Sequence, residues 1–78
     1  MIYKFLEHKA QLENPTIEAV QFVDSVGATS MNVNVTLGTE NAKLYNVDFG
    51  VFDYSSTGTY EDSDVMEWVR TRLEDFHV

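Results

Sequence analysis

MNVNVTLGTENAKLYNVDFGVFDY, residues 31–54, reads as a β-hairpin. In its first arm Met31, Val33, Val35 and Leu37 alternate with Asn32, Asn34 and Thr36. In its second, Tyr45, Val47, Phe49 and Val51 alternate with Asn46 and Asp48. A period of two sends successive side chains to opposite faces of a sheet. Between the arms, Gly38-Thr39-Glu40-Asn41-Ala42 has the length and the glycine of a hairpin loop. Strands are therefore expected over 31–37 and 43–54, with one apolar face that needs a cover and one polar face that water can keep.

The flanks must supply that cover. After the hairpin, Ser55-Ser56-Thr57-Gly58-Thr59 is a turn-rich loop. Asp62-Ser63-Asp64 then opens a helix over 64–76, since Asp or Ser can cap the free N–H groups and acids favour the positive end of the macrodipole. Val65, Met66, Val69, Leu73 and Phe76 share one arc of its wheel and form a core stripe. Arg70 and Glu74, four apart, are placed to pair. Before the hairpin, Asn14-Pro15 is a helix-start signal. Ala19, Val20, Phe22, Val23 and Val26 fall on one side of a helix over 15–26, and Gly27 stands where a left-handed C-terminal residue is wanted. Only Ile17 misses its side. The β-branched content of the segment keeps a strand open as the alternative. Residues 2–9, IYKFLEHK, read as a strand with apolar and aromatic residues on both faces, with a helix as the competing reading.

The expected architecture is a small two-layer α+β domain spanning residues 1–78. An antiparallel sheet of three or four strands is built on the central hairpin, and two helices pack on one face. A chain of 78 residues buries only about 60–65% of its unfolded surface, so stability should be marginal. It has no cysteine for a disulfide or a thiolate metal site. An idealised core, a partner subunit or both would then have to supply the missing staples, and a homodimer is one such solution. No long apolar run begins the chain, so neither a signal peptide nor a membrane span is expected, and a cytoplasmic location (the host cytoplasm for a viral protein) is the default.

Charge is unevenly spread. Of the net −8, residues 40–78 carry −6: nine acids against Lys43, Arg70 and Arg72. Such a field repels nucleic acid and anionic membrane and attracts basic proteins. The same acids would also serve as an ordinary solubilising surface.

Catalytic chemistry finds little purchase. There is no GxSxG serine, no glycine-rich phosphate cradle and no HExxH, and no cofactor is implied. The residues 53–64 partly match a calcium loop, with Asp53, Ser55, Thr57 and Glu61 at oxygen positions, Gly58 at the sixth and Asp64 at the twelfth. The final ligand should be a longer, bidentate Glu and the entering segment a helix. A solvated loop feeding a capped helix explains the same residues. His8 and His77, the only imidazoles, have no spaced companions, so no metal site is expected.

The features that point to a function are acids on the last helix and its approach. Asp64, Glu67, Glu74 and Asp75 occupy one sector, Glu61 and Asp62 extend the row, and Trp68 stands at its border as an anchor of the kind enriched at interface hot spots. From Asp64 to Asp75 the rise is about 16 Å, at 1.5 Å per residue. The expectation is a non-catalytic, acidic protein-binding module whose partner is a basic protein, with no direct binding of nucleic acid. The profile resembles, in size and charge alone, the short cysteine-free acidic proteins with which phages block host nucleic-acid-binding proteins. That resemblance implies a DNA-mimic inhibitor. The alternative is a small structural or assembly subunit, such as a virion component, self-associating through Phe52, Tyr54 and Tyr60.

Overall fold

The computed structural model describes residues 2–5 and 10–78. Its frame is the expected hairpin: β4 (Ser30–Gly38) pairs antiparallel with β5 (Leu44–Asp53). The loop is closed by Thr39 N–H to the Lys43 carbonyl at 3.1 Å and Ala42 N–H to the Thr39 carbonyl at 3.0 Å. Met31, Val33, Val35 and Leu37 are buried, and the alternate Asn32, Asn34 and Thr36 are exposed or partly so, as a half-buried strand requires.

In the second arm the alternation changes phase. Asn34 pairs with Asp48 but Val33 pairs with Gly50, so Phe49 is the extra residue of a β-bulge. Val47 and Phe49 point into the core, after which Phe52 and Tyr54 turn inward. Val51, expected inside, is 60% exposed. Gly50 makes this possible: its φ of 99° is open to glycine and strained for other residues. The Asp48 carboxylate accepts its N–H at 2.8 Å.

The expected helix over 15–26 is a strand instead, so the molecule has one helix among the described residues rather than two. β3 (Thr16–Phe22) pairs antiparallel with β4 and completes a sheet of order β3-β4-β5. It too carries a bulge, with Ile17 opposite Leu37 and Ala19 opposite Thr36, so Glu18 is extra. The bulge moves the inward set from Ile17 to Val20 and Phe22, all packed on the core. With the period of two broken, Ala19, Val20, Phe22, Val23 and Val26 imitate a helical arc. Ile17, which fits no helical face, belongs to the core of the strand. Asn14 adopts a left-handed φ of 46° between strands, which asparagine tolerates, and caps nothing helical. Gly27, with φ 79°, is the third residue of a turn in which Ala28 N–H reaches the Ser25 carbonyl at 3.0 Å.

The strand expected over 2–9 is found in part: β1 (Ile2–Phe5) pairs antiparallel with β2 (Ala10–Glu13), a strand not expected. Residues 6–9 lie outside the described residues. This two-stranded sheet buries Tyr3, Phe5 and Leu12 in the same cluster as β4 and β5. Its free side is met by the end of the chain, through Lys4 N–H to the Phe76 carbonyl at 2.8 Å and Val78 N–H to the Ile2 carbonyl at 2.9 Å.

The single helix α1 (Asp62–Glu74) starts and stops two residues before the expected 64–76. Val65 and Val69 are fully buried, with Trp68, Leu73 and Phe76 packed around them. The result is α+β, with five strands in sheets of two and three and α1 against β5.

Candidate partner-binding surface

Two contacts fix α1 at its ends. Glu61 is the N-cap, and its N–H donates to the Asp64 carboxylate at 2.9 Å. Asp62 and Asp64 lie in the first turn, where unsatisfied N–H groups favour negative charge. Near the other end, Arg72 donates through Nε to the Phe49 carbonyl at 2.9 Å and through Nη1 to Asp75 at 2.8 Å. Its guanidinium also lies 5.4 Å from the Phe76 ring centre. One arginine thus ties the helix to the bulged strand, whose extra residue leaves backbone without a regular ladder partner.

With Val65 and Val69 inward, the outer side of α1 is exposed at Asp64, Glu67, Glu74 and, just past its end, Asp75; Glu61 is exposed just before the helix, and Asp62, also exposed, lies toward Tyr60 and Met66. These six carboxylates are not equally available. Asp64 is engaged in the cap, Asp75 pairs with Arg72, and Glu74 accepts the Tyr3 hydroxyl at 3.1 Å. The expected Arg70–Glu74 pair is replaced by these contacts. Asp62 and Glu67 make no side-chain hydrogen bond or ion pair among the described residues. Arg70 is exposed beside Glu67 and Glu74 and locally offsets their charge. Trp68 is half-buried, its ring edge-on to Phe52 at 5.7 Å, so it offers only part of its surface.

Phe52, Tyr54 and Tyr60 are gathered into an internal aromatic cluster with Phe22 and Trp68. Ring centres are 5.9 Å apart for Phe52–Tyr54, 4.7 Å for Tyr54–Tyr60 and 6.1 Å for Phe22–Tyr60. Tyr54 is only 5% exposed. Its hydroxyl donates to the Asp24 carboxylate and lies 3.1 Å from the Ala28 carbonyl. The bond to Asp24, which favours the protonated phenol, and then desolvation push the Tyr54 pKa up to about 12. Tyr60 is raised by desolvation first, and then by the charge of Asp24, with Asp62 contributing.

Asp24 thereby joins the site, although as a residue on the solvated side of a helix it had no visible role in the sequence. The surplus of aromatics around residue 54 was the one available signal. Asp24 and Asp62 line a common cavity of about 540 Å³ with Tyr54, Tyr60 and residues of the 25–28 turn.

The loop after β5 shows how its oxygens are used. The Ser55 hydroxyl and then the Ser55 N–H, which the Asp53 carboxylate accepts at 2.9 Å, lower the Asp53 pKa, and Thr57 donates to the Thr59 carbonyl at 2.7 Å. The loop is entered from a strand, not a helix. His77 is exposed and tilted against Tyr3 with ring centres 5.5 Å apart; His8 lies outside the described residues. No helix among the described residues is long and apolar enough to cross a membrane. No protein-family model, curated protein or solved structure matches the chain.

Proposed function

We propose that this chain is a non-catalytic protein-binding module that lays its acidic helix against a basic surface of a partner. The partner of best fit is a nucleic-acid-binding protein, occupied in the manner of a DNA-mimic inhibitor. The observation that carries the reading is the set of exposed carboxylates from Glu61 to Asp75 along α1 and its ends, in which Glu67 makes no side-chain hydrogen bond or ion pair among the described residues. Carboxylates held on a rigid element present charge to Lys and Arg at little ordering cost. The net −8 adds long-range attraction for a basic partner.

Affinity capture on the immobilised chain tests this reading. Basic, nucleic-acid-binding proteins should be recovered, released by added DNA, and recovered less when Asp62→Asn and Glu67→Gln are combined. Capture of no basic protein, or capture indifferent to those changes, would count against it.

A second reading, a structural or assembly subunit, draws on exposed apolar groups. Val51 on the open sheet face is 60% exposed, and Val23, just past the edge strand β3, is 80% exposed. An unpaired strand edge with such residues is a surface a second copy could cover. Self-association that survives high salt and falls on Val51→Lys would favour it.

A further inference from the structure

The cavity between the 24–28 segment and the start of α1 has a composition that neither the acidic row nor the core explains. It is walled by the two tyrosines, Tyr54 and Tyr60, and has Asp24 on one side and Asp62 on the other. The remaining lining comes from Ser25, Val26, Gly27, Ala28, Gly58 and Thr59, and none of it is cationic. Asp24 comes from the β3–β4 connection and Asp62 from α1, segments remote in sequence that the aromatic cluster holds together.

We infer that this cavity receives one cationic side chain, a lysine ammonium or an arginine guanidinium, from the partner. Resting on the reading above, the inference adds where the partner's charge is seated. Two carboxylates facing a shared space with no basic group favour a positive head. Tyr60, which lines the cavity and is only partly buried, covers an aliphatic stem. Asp24 accepts from the Tyr54 hydroxyl and also engages the Tyr60 phenol, but a carboxylate accepts about four hydrogen bonds, so acceptor capacity remains. Asp62 makes no side-chain hydrogen bond or ion pair among the described residues. The Tyr60 phenol is raised by desolvation first and then by Asp24 and Asp62, which places both carboxylates near it. A metal ion is a poorer fit: no group of three or more ligating side chains is assembled among the described residues.

The test is an amide and tyrosine-ring NMR titration of the full chain with N-acetyl-arginine methylamide, with the leucine analogue as neutral control. The expected result is saturable shifts at Asp24–Ala28, Gly58, Thr59 and Tyr60 from the arginine probe and none from the leucine probe. Asp62→Asn should weaken that binding about twofold to fivefold, the scale of one partly exposed ion pair. Glu67→Gln should leave it unchanged. Unchanged amide dispersion in the Asp62→Asn spectrum would show that the variant is folded. Three results would overturn the inference: shifts confined to the outer side of α1, equal response to the leucine probe, or displacement of the arginine probe by stoichiometric calcium. The first leaves the acidic-module reading standing. Seating of the probe in a chain that captures no basic protein would fail that reading alone.

Discussion

At the residue scale, Gly50 and Tyr54 carry more than their size suggests. Gly50 lets β5 change phase, so that Phe49 and Phe52 both face inward across the bulge. Gly50→Ala forces a side chain into φ 99° and should destabilise by about 1–3 kcal/mol, read as a lower denaturant midpoint with an unchanged slope. Tyr54 fastens the 24–28 segment by donating to Asp24. Its folded pKa of about 12 lies above the ordinary 10.0, so the protonated phenol is the form the fold favours. The contribution is therefore complete below pH 10.0 and is lost as pH rises through about 12. Tyr54→Phe should flatten the alkaline loss of stability in that window. It should not abolish the loss, because Tyr3 and Tyr60 are raised as well. An unchanged alkaline profile would show that the Asp24 contact does not form in solution.

At the element scale, the chain shows where periodicity is informative and where it misleads. β4 alternates without interruption because it is the central strand of its sheet, paired on both sides and buried on one face. The α1 stripe is equally clean: Val65 and Val69 are fully buried, and Trp68 and Leu73 pack against the same cluster. β3 was illegible for a local reason: the bulge at Glu18 breaks the period of two, and Ala19, Val20 and Phe22 then fall on one apparent helical face. Val23 and Val26, which completed that apparent face, are exposed in the connection to β4. Of the candidate site, the acids on α1 were readable from spacing, whereas Asp24 was not, because only tertiary packing brings it to Tyr54. Far-UV circular dichroism should report the 13 residues of α1 as the helix of the described residues. A signal nearly twice that strength would restore the helix over 15–26 and contradict β3.

At the scale of the whole molecule, one apolar cluster joins both sheets and the helix. Phe49 sits at its centre, fully buried and 5.3 Å from Phe76, with its carbonyl held by Arg72. Phe49→Ala should cost about 3–5 kcal/mol. A core of this size rarely supplies more than about 3–5 kcal/mol in total, so the variant should be largely unfolded by calorimetry. That same small core bears on function, since a rigid helix is what keeps the carboxylates in a row. The acidic row makes association depend on charge, and charges screen over about 8 Å at physiological ionic strength. The most direct measurement is the dissociation constant for a captured basic partner at low and at high salt, with the wild-type chain and with Asp62→Asn/Glu67→Gln. Affinity should fall on the order of tenfold or more with added salt, and the double variant should show both weaker binding and a shallower salt dependence. Equal affinity at both salt concentrations, with the variant indistinguishable from wild type, would contradict recognition through the acidic helix.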